Sequence, residues 1–392
     1  MNRRDFIVTT ACMGTAMTAR SYANILGAND RVRLGIIGLG RRGTIVSGAL
    51  LQDSRVRIAA VSDVYDKQTA SFLSHLSGSQ VVPASYVAYE DLLARKDVDA
   101  VVIATPDHLH LTIAKAALKA GKDVYLEKPT LHRWDERREL TEGAAASGRI
   151  LQCGMQQRSG AHYKRAKEEI FASGKLGDVL FARAVWQNFP WQQRHIVNEA
   201  KPAQLDWDRF QGPAPHVPYE TIRYTAWRYF PEYGNGLLAD ILTHWVDVAQ
   251  WMLNDAEPQT ASALGGIYGQ RDGRKNPDTV TAVVQYQKWN LNFESSVLSI
   301  RNDRPSVFFE GTEGTLDLSR EGYVFTPNRG DSSEVDATES LEIAHTRNFV
   351  DAILKRTAVN APLQAGIDAS RPVQMALQSY WTHKQVAVAD LA

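Results

Sequence analysis

Residues 33–43 read RLGIIGLGRRG, an apolar run that leads into three glycines spaced by one residue and then by two. The run is typical of a buried strand and the residues after it show helical spacing, so the glycines lie at a strand-to-helix turn. In such a turn Gly38 allows a sharp bend, Gly40 lets a phosphate approach the backbone, and Gly43 lets the helix lie close to the strand. The stretch therefore predicts a loop that binds the pyrophosphate of a dinucleotide. The expected contacts are Gly38, Leu39, Gly40, Arg41, Arg42 and Gly43.

The alternation of short apolar runs with helical patterns continues from residue 31 to about residue 156. Strands are predicted over 33–38, 56–63, 99–105, 123–127 and 150–155, with a weaker strand near Val81 and Val82. Helical spacing covers 44–52, 67–77, 109–120 and 134–147. This order is typical of a parallel sheet built from strand–helix–strand units. We therefore predict an α/β fold whose first domain, residues 31–156, is a doubly wound Rossmann sheet.

Asp63 ends the second predicted strand, 20 residues after Gly43. A carboxylate there can accept hydrogen bonds from the ribose hydroxyls of NAD and would repel the 2′-phosphate of NADP. Arg41 and Arg42 indicate the opposite preference, because a guanidinium near the ribose could pair with that phosphate. The sequence favours NAD and leaves NADP possible. A doubly wound fold with an unrelated ligand is the alternative.

Two polar segments follow predicted strands in the same domain. Residues 105–110 read TPDHLH after the third strand, and Glu127-Lys128-Pro129 follows the fourth. Ligands of open parallel sheets bind at the carboxyl ends of the strands, so we expect both segments beside the cofactor. Pro129 disfavours helical dihedrals at Lys128, which would hold the lysine at the rim of the sheet for proton transfer. The alternative is a solvated surface lysine.

After residue 156 the pattern changes to one helix, an aromatic-rich region and longer strands. Predicted strands over 279–287, 291–300, 306–310 and 314–318 form a meander, and predicted helices over 339–355 and 367–387 close the chain. Residues 157–392 are therefore expected to form an α+β domain with a mostly antiparallel sheet. Its C-terminal helices are candidates to pack back on the first domain.

Asp240 and His244 lie four residues apart near the start of a predicted helix in the second domain. That spacing places both on one helix face, where a carboxylate can orient an imidazole and tune it for proton transfer. The alternatives are a helix N-terminal charge for Asp240 and a buried, hydrogen-bonded histidine for His244. No third metal ligand occurs at a supporting spacing, so we predict no metal.

Together these motifs resemble the Gfo/Idh/MocA family, named for glucose–fructose oxidoreductase and inositol dehydrogenase, from about residue 31 to the end. The resemblance implies an NAD(P)-dependent oxidoreductase acting on a secondary hydroxyl of a sugar, polyol or glycoside. Lys128 and His244 would then move the hydroxyl proton, and Asp240 would bind substrate or support His244. The strand-end segments would contact the cofactor through Thr105, Pro106, His108, His110, Glu127 and Lys128. The family also implies an open-faced second-domain sheet used in dimer or tetramer contacts.

Aromatic residues are concentrated in the second domain, where five of the nine tryptophans lie between residues 186 and 245. They are Trp186, Trp191, Trp207, Trp227 and Trp245. Their faces could stack on sugar rings, or the rings could anchor long loops on the core. The expected substrate contacts are Lys128, Arg158, Trp186, Trp227, Arg228, Asp240 and His244.

The composition narrows the choice of partner. Lys plus Arg equals Asp plus Glu, 44 against 44, so the electrostatic footprint of a nucleic-acid or anionic-membrane binder is missing. No apolar run reaches the length of a membrane span. We therefore expect a small carbohydrate as partner, with no nucleic acid and no membrane-spanning segment.

Residues 2–7 read NRRDFI, which resembles a twin-arginine export signal, and Ser21-Tyr22-Ala23 fits a cleavage site. We predict a signal over residues 1–23 and a periplasmic or otherwise exported protein, with an uncleaved N-terminal arm as the alternative. Outside the cytoplasm no large NAD pool is expected to reoxidise a released cofactor. Export therefore predicts a tightly bound cofactor that is recycled on the protein.

Two other function classes stay open. A redox-neutral glycosidase or lyase would oxidise one hydroxyl transiently, eliminate a neighbouring substituent and restore the hydride. The family's glycosidase branch departs from the Glu-Lys-Pro and Asp-x-x-x-His patterns, which disfavours this class. A non-catalytic nucleotide- or sugar-binding protein is the third class, and the presence of both Lys128 and His244 argues against it.

Overall fold

The structure is a computed structural model that describes residues 31–76, 82–187, 189, 196–300 and 304–391. The predicted signal at residues 1–23 and Trp191 therefore lie outside the described residues. Two sheets organise the described chain, one of six strands and one of nine. The first is parallel and the second is mixed but mostly antiparallel, which confirms the predicted fold class.

The six-stranded sheet is a Rossmann sheet with strand order β3-β2-β1-β4-β5-β6. Its strands are β1 (Val32–Ile37), β2 (Val56–Ser62), β3 (Ala84–Tyr86), β4 (Ala100–Ile103), β5 (Asp123–Leu126) and β6 (Leu151–Cys153). Its helices are α1 (Arg41–Leu50), α2 (Asp66–His75), α3 (Tyr89–Leu93), α4 (His110–Lys119) and α5 (Glu136–Ser147). Every residue of β4 and β5 is buried, because helices cover both faces of a parallel sheet.

Five predicted strands of this sheet are confirmed to within two residues at each end. The weaker strand predicted near Val81 and Val82 is displaced: Val81 lies outside the described residues, Val82 is not in a strand, and β3 begins at Ala84. The short helix α3 was not predicted. Its five residues are too few for helical periodicity to be visible in the sequence.

The nine-stranded sheet has the order β14-β13-β12-β11-β7-β10-β9-β8-β15. Its strands are β7 (Val179–Val185), β8 (Thr260–Gly266), β9 (Thr279–Gln285), β10 (Asn290–Ser296), β11 (Ser306–Gly311), β12 (Gly314–Ser319), β13 (Gly322–Pro327), β14 (Ser333–Asp336) and β15 (Val386–Ala387). Its described helices include α6 (Ala161–Ala166), α7 (Trp207–Gln211), α8 (Thr221–Thr225), α9 (Thr243–Leu253), α10 (Leu341–Lys355) and α11 (Leu363–Thr382). In β9 the residues Val280, Ala282 and Val284 are buried while Thr281 and Val283 are exposed, so one face of the sheet is packed and the other is open.

Helix α10 belongs to the core of the first domain although it comes late in the chain. Its Phe349 and Val350 are fully buried in the same apolar cluster as Leu34 of β1 and Val46 of α1. Helix α11 instead packs beneath β8 and against α9. No helix in the described ranges combines the length and apolar character needed to cross a bilayer.

Candidate active site

The glycine loop joins β1 to α1 at the carboxyl edge of the parallel sheet. Gly38 has φ +88°, and a Cβ at this position would lie 2.7 Å from the Ala104 backbone. A Cβ at Gly43 would lie 2.0 Å from the Gly38 carbonyl oxygen. The fold itself therefore requires both glycines.

Gly40 is different, because nothing in the protein's own packing requires a glycine there. Its φ is −66°, and a Cβ at this position would meet no atom within 4 Å. Gly40 caps the N-terminus of α1, where backbone N–H groups and the helix dipole favour an anion. Open space at a helix N-terminus fits the pyrophosphate of a dinucleotide.

We expect Gly40→Ala to bind NAD about tenfold more weakly or worse, because a methyl group in the path of a phosphate costs on the order of 1–3 kcal/mol. Folding should be nearly unaffected, since this φ suits alanine and the lost chain flexibility offsets the weaker cap. Gly43→Ala should instead lower thermal stability through its clash with Gly38. Titration calorimetry and thermal melts of the nucleotide-stripped proteins separate the two cases. Gly48→Ala, on the exposed face of α1, is the control, and equal NAD affinity in Gly40→Ala and Gly48→Ala would contradict this placement.

Asp63 follows β2, and its carboxylate faces the glycine loop. It accepts hydrogen bonds from the backbone N–H of Leu39 at 2.8 Å and of Tyr65 at 3.0 Å. Burial raises the pKa of Asp63 to about 6, although these backbone hydrogen bonds favour the charged form. Each carboxylate oxygen keeps a lone pair free, so the group can also accept from ribose hydroxyls.

Arg42 pairs with two carboxylates of the protein. Its Nε donates to Glu127 Oε1 at 2.7 Å, and its Nη1 lies 3.5 Å from Glu342 Oε1 on α10. The guanidinium therefore links α10 to the end of β5, and its Nη2 is buried without a hydrogen-bond partner among the described residues. The choice between NAD and NADP that Arg42 raised stays a prediction. Arg41 is exposed at the start of α1.

The two domains meet at Lys128 and Asp240. Lys128 Nζ donates to Asp240 Oδ1 and to the Asp240 carbonyl oxygen, each at 2.6 Å, and Arg228 Nε lies 3.2 Å from Asp240 Oδ2. Burial alone would raise the pKa of Asp240, but Arg228 and Lys128 bring it far below its usual value. Asp240 is therefore ionised, and it fixes the lysine at the carboxyl edge of the Rossmann sheet.

The Asp240–His244 relation differs from the expected α-helical one. Asp240 lies in a π-helical turn, Leu238–Leu242, directly before α9. This turn sends the carboxylate to Lys128 and Arg228, and within the described residues His244 Nδ1 is buried without a hydrogen-bond partner. The prediction that Asp240 binds substrate or supports His244 stays a prediction, and the charge of Asp240 does act on the imidazole.

His244 is an uncharged imidazole in this setting. Burial, reinforced by the charge of Lys128, lowers its pKa well below the usual value. The Trp186 ring lies against it, with ring centroids 5.9 Å apart. A buried nitrogen without a hydrogen bond destabilises the protein unless a ligand bonds to it. His244 Nδ1 is therefore suited to a hydrogen bond with a substrate hydroxyl.

Asp107 is a further site residue, to which sequence reasoning gave no role. Its side chain is buried, and Oδ2 lies 3.2 Å from where a Cβ at Gly234 would stand. Burial raises its pKa to about 7, and among the neighbouring charges Arg228, Asp240 and Lys128 have the largest effects on it. The available signal was an acidic residue directly after a parallel strand, inside a segment already assigned to the site.

Among the remaining residues predicted to contact the cofactor, some bond to the protein itself and one has no hydrogen-bond partner. His108 Nε2 contacts the Phe210 carbonyl oxygen at 2.9 Å, and His110 Nδ1 contacts the Pro129 carbonyl oxygen at 2.8 Å, so both rings help to hold the backbone. Thr105 Oγ1 is buried without a partner among the described residues, at the carboxyl end of β4, where a ligand could complete it. Pro106 precedes the 3₁₀ turn Asp107–Leu109. Glu127 accepts from Arg42 and from Gln156.

The predicted substrate residues divide into two groups. Trp227 and Arg228 lie at the Lys128–Asp240 pair, with the Arg228 guanidinium 4.0 Å from the Trp227 ring centroid. Arg158 is engaged elsewhere, because its Nε pairs with Oδ1 of the buried Asp247 at 2.8 Å. The expectation of Arg158 as a free substrate contact is therefore not supported.

The tryptophans divide in a similar way. Trp186 and Trp227 are partly exposed beside the site, whereas Trp207 and Trp245 are buried in the packing. Anchoring on the core therefore describes Trp207 and Trp245, while stacking on a sugar stays a prediction for Trp186 and Trp227. In the described part of the chain, no group of three or more His, Cys, Asp and Glu side chains is placed to hold a metal ion.

Two family models match this chain. The model for an oxidoreductase family with an NAD-binding Rossmann fold matches residues 32–155, and that for the GFO/IDH/MocA C-terminal domain matches residues 163–317. A myo-inositol 2-dehydrogenase of Thermotoga maritima is 26% identical over 300 residues, 76% of this chain and 75% of the relative. A glycosyl hydrolase family 109 protein of Streptomyces niveus is 31% identical over 218 residues, 54% of this chain, which spans only 41% of that relative.

The fold is shared with solved structures of low sequence identity. An aldose–aldose oxidoreductase of Caulobacter crescentus, complexed with glycerol, superposes with a TM-score of 0.72 at 17% identity, covering 91% of this chain and 99% of that one. At this identity the likeness establishes the fold alone.

Proposed function

The chain belongs to the Gfo/Idh/MocA family of NAD-binding oxidoreductases, and on that premise we propose that it oxidises or reduces a secondary hydroxyl of a sugar, polyol or glycoside. The observation that carries the proposal is the Lys128–Asp240 pair beside the unpartnered His244, at the carboxyl edge of the Rossmann sheet. A proton carrier and a neutral hydrogen-bond acceptor at this edge suit chemistry on a hydroxyl group.

Lys128 and His244 have separate tasks beside a bound cofactor. When NAD is bound, it would supply the hydride transfer to or from the carbinol carbon. Lys128 donates to Oδ1 and to the backbone carbonyl oxygen of Asp240, and it can exchange a proton with the reacting oxygen. His244 Nδ1 is neutral and can accept the hydrogen bond of the same or a neighbouring hydroxyl. Holding these groups fixed before the reaction contributes much of the rate.

The aromatic rings near Lys128 and His244 support the proposal of a carbohydrate substrate. Trp186 beside His244 and Trp227 beside Arg228 can stack on the apolar face of a sugar ring. The similarity to a myo-inositol 2-dehydrogenase supports the same class, since inositol is a cyclic polyol. Cyclic polyols and pyranosides are therefore the first compounds to test.

We further propose that NAD is bound tightly and recycled on the protein, as the predicted twin-arginine signal suggests. Mass spectrometry of the nucleotide released from purified protein should give near-stoichiometric NAD(H), and a sugar panel should change the absorbance of reduced nicotinamide. Protein that carries no nucleotide and binds NAD only at millimolar concentration would contradict tight binding. Absence of any absorbance change across the panel would contradict oxidoreduction.

A homodimer or homotetramer through the nine-stranded sheet is proposed from the open face of that sheet. Leu264 of β8 is 72% exposed, and Val283 of β9 is also exposed on the outer face. Exposed apolar side chains on a broad flat sheet are typical of a protein interface. Light scattering of Leu264→Asp and Val283→Asp variants would test it, because a monomer is expected if this face is the contact.

A redox-neutral glycosidase or lyase is a second candidate, favoured by Asp107 and by the similarity to the glycosyl hydrolase family 109 protein. Elimination after transient oxidation needs an additional proton carrier for the neighbouring C–H or for the leaving group. A buried carboxyl with a pKa near neutrality suits that task. Incubation of a glycoside without external acceptor separates the classes, since only the second releases free sugar with the cofactor unchanged.

We expect Asp107→Asn to lower any glycoside cleavage by about 10²- to 10⁴-fold, while hydroxyl oxidation falls by far less. The ionisation near pH 7 should also disappear from the pH profile of kcat/KM, because the amide cannot titrate. Asp278→Asn is the matched control, since Asp278 is a buried carboxyl that accepts from backbone amides in the second domain. An unchanged pH profile of kcat/KM in Asp107→Asn would show that Asp107 takes no part in the reaction.

A further inference from the structure

The chain between β7 and α9 contains an aromatic cap, residues 205–233, that packs as a cluster of its own. It includes α7 and α8, and its central rings are Trp207, Phe210, Tyr224, Tyr229, Phe230 and Tyr233. Phe210 stacks on Trp207, with ring centroids 5.0 Å apart, and lies edge-on to Tyr224 at 5.2 Å. The cap therefore packs as a unit, and it contacts the first domain at two places.

The cap is attached first at the end of β2. Leu205 pairs with Tyr65 in an antiparallel bridge, and the Asp206 N–H donates to the Val64 carbonyl oxygen at 2.9 Å. The Tyr224 ring lies edge-on to Tyr65, with centroids 5.7 Å apart. Val64 and Tyr65 directly follow Asp63, so the cap begins beside the carboxylate expected to bind ribose.

The cap is attached again at the end of β4. His108 Nε2 lies 2.9 Å from the Phe210 carbonyl oxygen, and the His108 N–H donates to the Tyr233 carbonyl oxygen at 3.3 Å. Leu109 fills the space beside Gly212, where a Cβ would approach its Cδ2 to 2.5 Å. Backbone and side chain both fix this second attachment.

The sheet order shows what lies between the two attachments. β1 is the neighbour of both β2 and β4, and its glycine loop leaves the sheet between their carboxyl ends. A segment bonded to the ends of β2 and β4 therefore crosses the crevice above that loop. Dinucleotides bind in this crevice in Rossmann sheets.

We infer that the aromatic cap forms the outer wall of the dinucleotide site, with Tyr224 as a contact on the adenosine side, and that nucleotide leaves only when the cap detaches. The inference rests on the glycine loop binding a dinucleotide and is independent of the substrate. It gives tight retention a physical cause, because release requires breaking the attachments at both strand ends.

Tyr224 lies edge-on to Tyr65, two residues after Asp63, and the Asp63 carboxylate is the strongest charge that acts on its phenol. Burial and the Asp63 carboxylate both raise the pKa of the Tyr224 phenol, so the hydroxyl stays protonated and can donate. Loss of one such hydrogen bond should speed nucleotide release about three- to tenfold in Tyr224→Phe. A wild-type release rate in this variant would remove Tyr224 from the wall.

A reversible lock tests the cap itself. Facing residues of an antiparallel bridge lie within the Cα separation that a disulfide spans, so Tyr65→Cys combined with Leu205→Cys should crosslink the cap to β2. Cys153 is fully buried and should not compete. After loading with NAD, the oxidised double variant should release nucleotide at least about tenfold more slowly than the reduced one. The two single variants should show no such redox dependence.

Equal release rates in the oxidised and reduced double variant would overturn the inference. Failure of the wild-type protein to bind any nucleotide would instead overturn the dinucleotide site on which it rests. Hydrogen exchange in the unmodified protein gives an answer that is independent of the variant's folding. The Asp206 amide should exchange more slowly when NAD is added, while the distant Val297 amide should not change. Unchanged exchange at Asp206 would also overturn the inference.

Discussion

Lys128→Met should lower turnover by about 10²- to 10⁴-fold while leaving bound NAD in place. The substitution keeps most of the side-chain volume but removes the group that can exchange a proton with the reacting oxygen. Asp240 would keep its pairing with Arg228, so the carboxylate is not left without a partner. Steady-state kinetics and the amount of nucleotide released on denaturation would be measured on the same preparation.

Lys122→Met is the matched control. Lys122 is also a buried lysine, but it lies just before β5, at the opposite edge of the sheet, where Nζ donates to the carbonyl oxygens of Arg95 at 2.6 Å and Val98 at 2.8 Å. Its loss should lower the free energy of unfolding and leave kcat unchanged. Turnover at the wild-type rate in Lys128→Met would show that Lys128 is not the proton carrier.

Acid should destabilise the protein steeply below about pH 6.5. Six described histidines are buried with pKa values lowered mainly by that burial: His108, His110, His132, His162, His244 and His345. Their unfolded forms take up protons near pH 6.5 and their folded forms do not, so stability is present above that pH and lost as the pH falls. The lowered pKa is about 4 for His108 and about 3 for His132, so the loss continues to low pH.

The free energy of unfolding should fall with decreasing pH by up to about 1.4 kcal/mol per pH unit for each histidine. Buried carboxyls with raised pKa values, Asp63 and Asp107 foremost, oppose part of it because they favour the folded state as the pH falls. Urea unfolding between pH 8 and pH 5 would measure the slope. His162→Gln should make it shallower and the exposed His75→Gln should not. A free energy of unfolding that stays constant over this range would refute the prediction.

The first domain was predictable because its signals are local. Alternating runs and glycines at fixed spacing report directly on β1, α1 and the loop between them. In the second domain β7 was missed because its pattern is weak: Ala182 and Ala184 are buried, Leu180 is exposed and the other four residues are partly exposed. β8 contains two glycines and was missed for the same reason. Long-range pairing, rather than local pattern, decides such strands.

The site was predictable residue by residue but not as an assembly. Strand-end position pointed to Lys128 and helical spacing to Asp240, yet nothing in the sequence shows that their side chains meet at 2.6 Å. The π-helical turn at Leu238–Leu242 depends on tertiary packing and has no sequence signature. Asp107 was missed because an acidic residue at the start of a helical turn is usually an end charge.

Helix α10 sets a limit on how this protein can be made. Phe349 and Val350 complete the core around β1, and Glu342 on the same helix faces Arg42 of the glycine loop. A fragment ending at residue 156 would expose the apolar surface that these side chains cover, so it should not fold independently. During synthesis the nucleotide-binding half can therefore complete its core only after α10 has left the ribosome. Cofactor loading is then a step that follows the synthesis of α10.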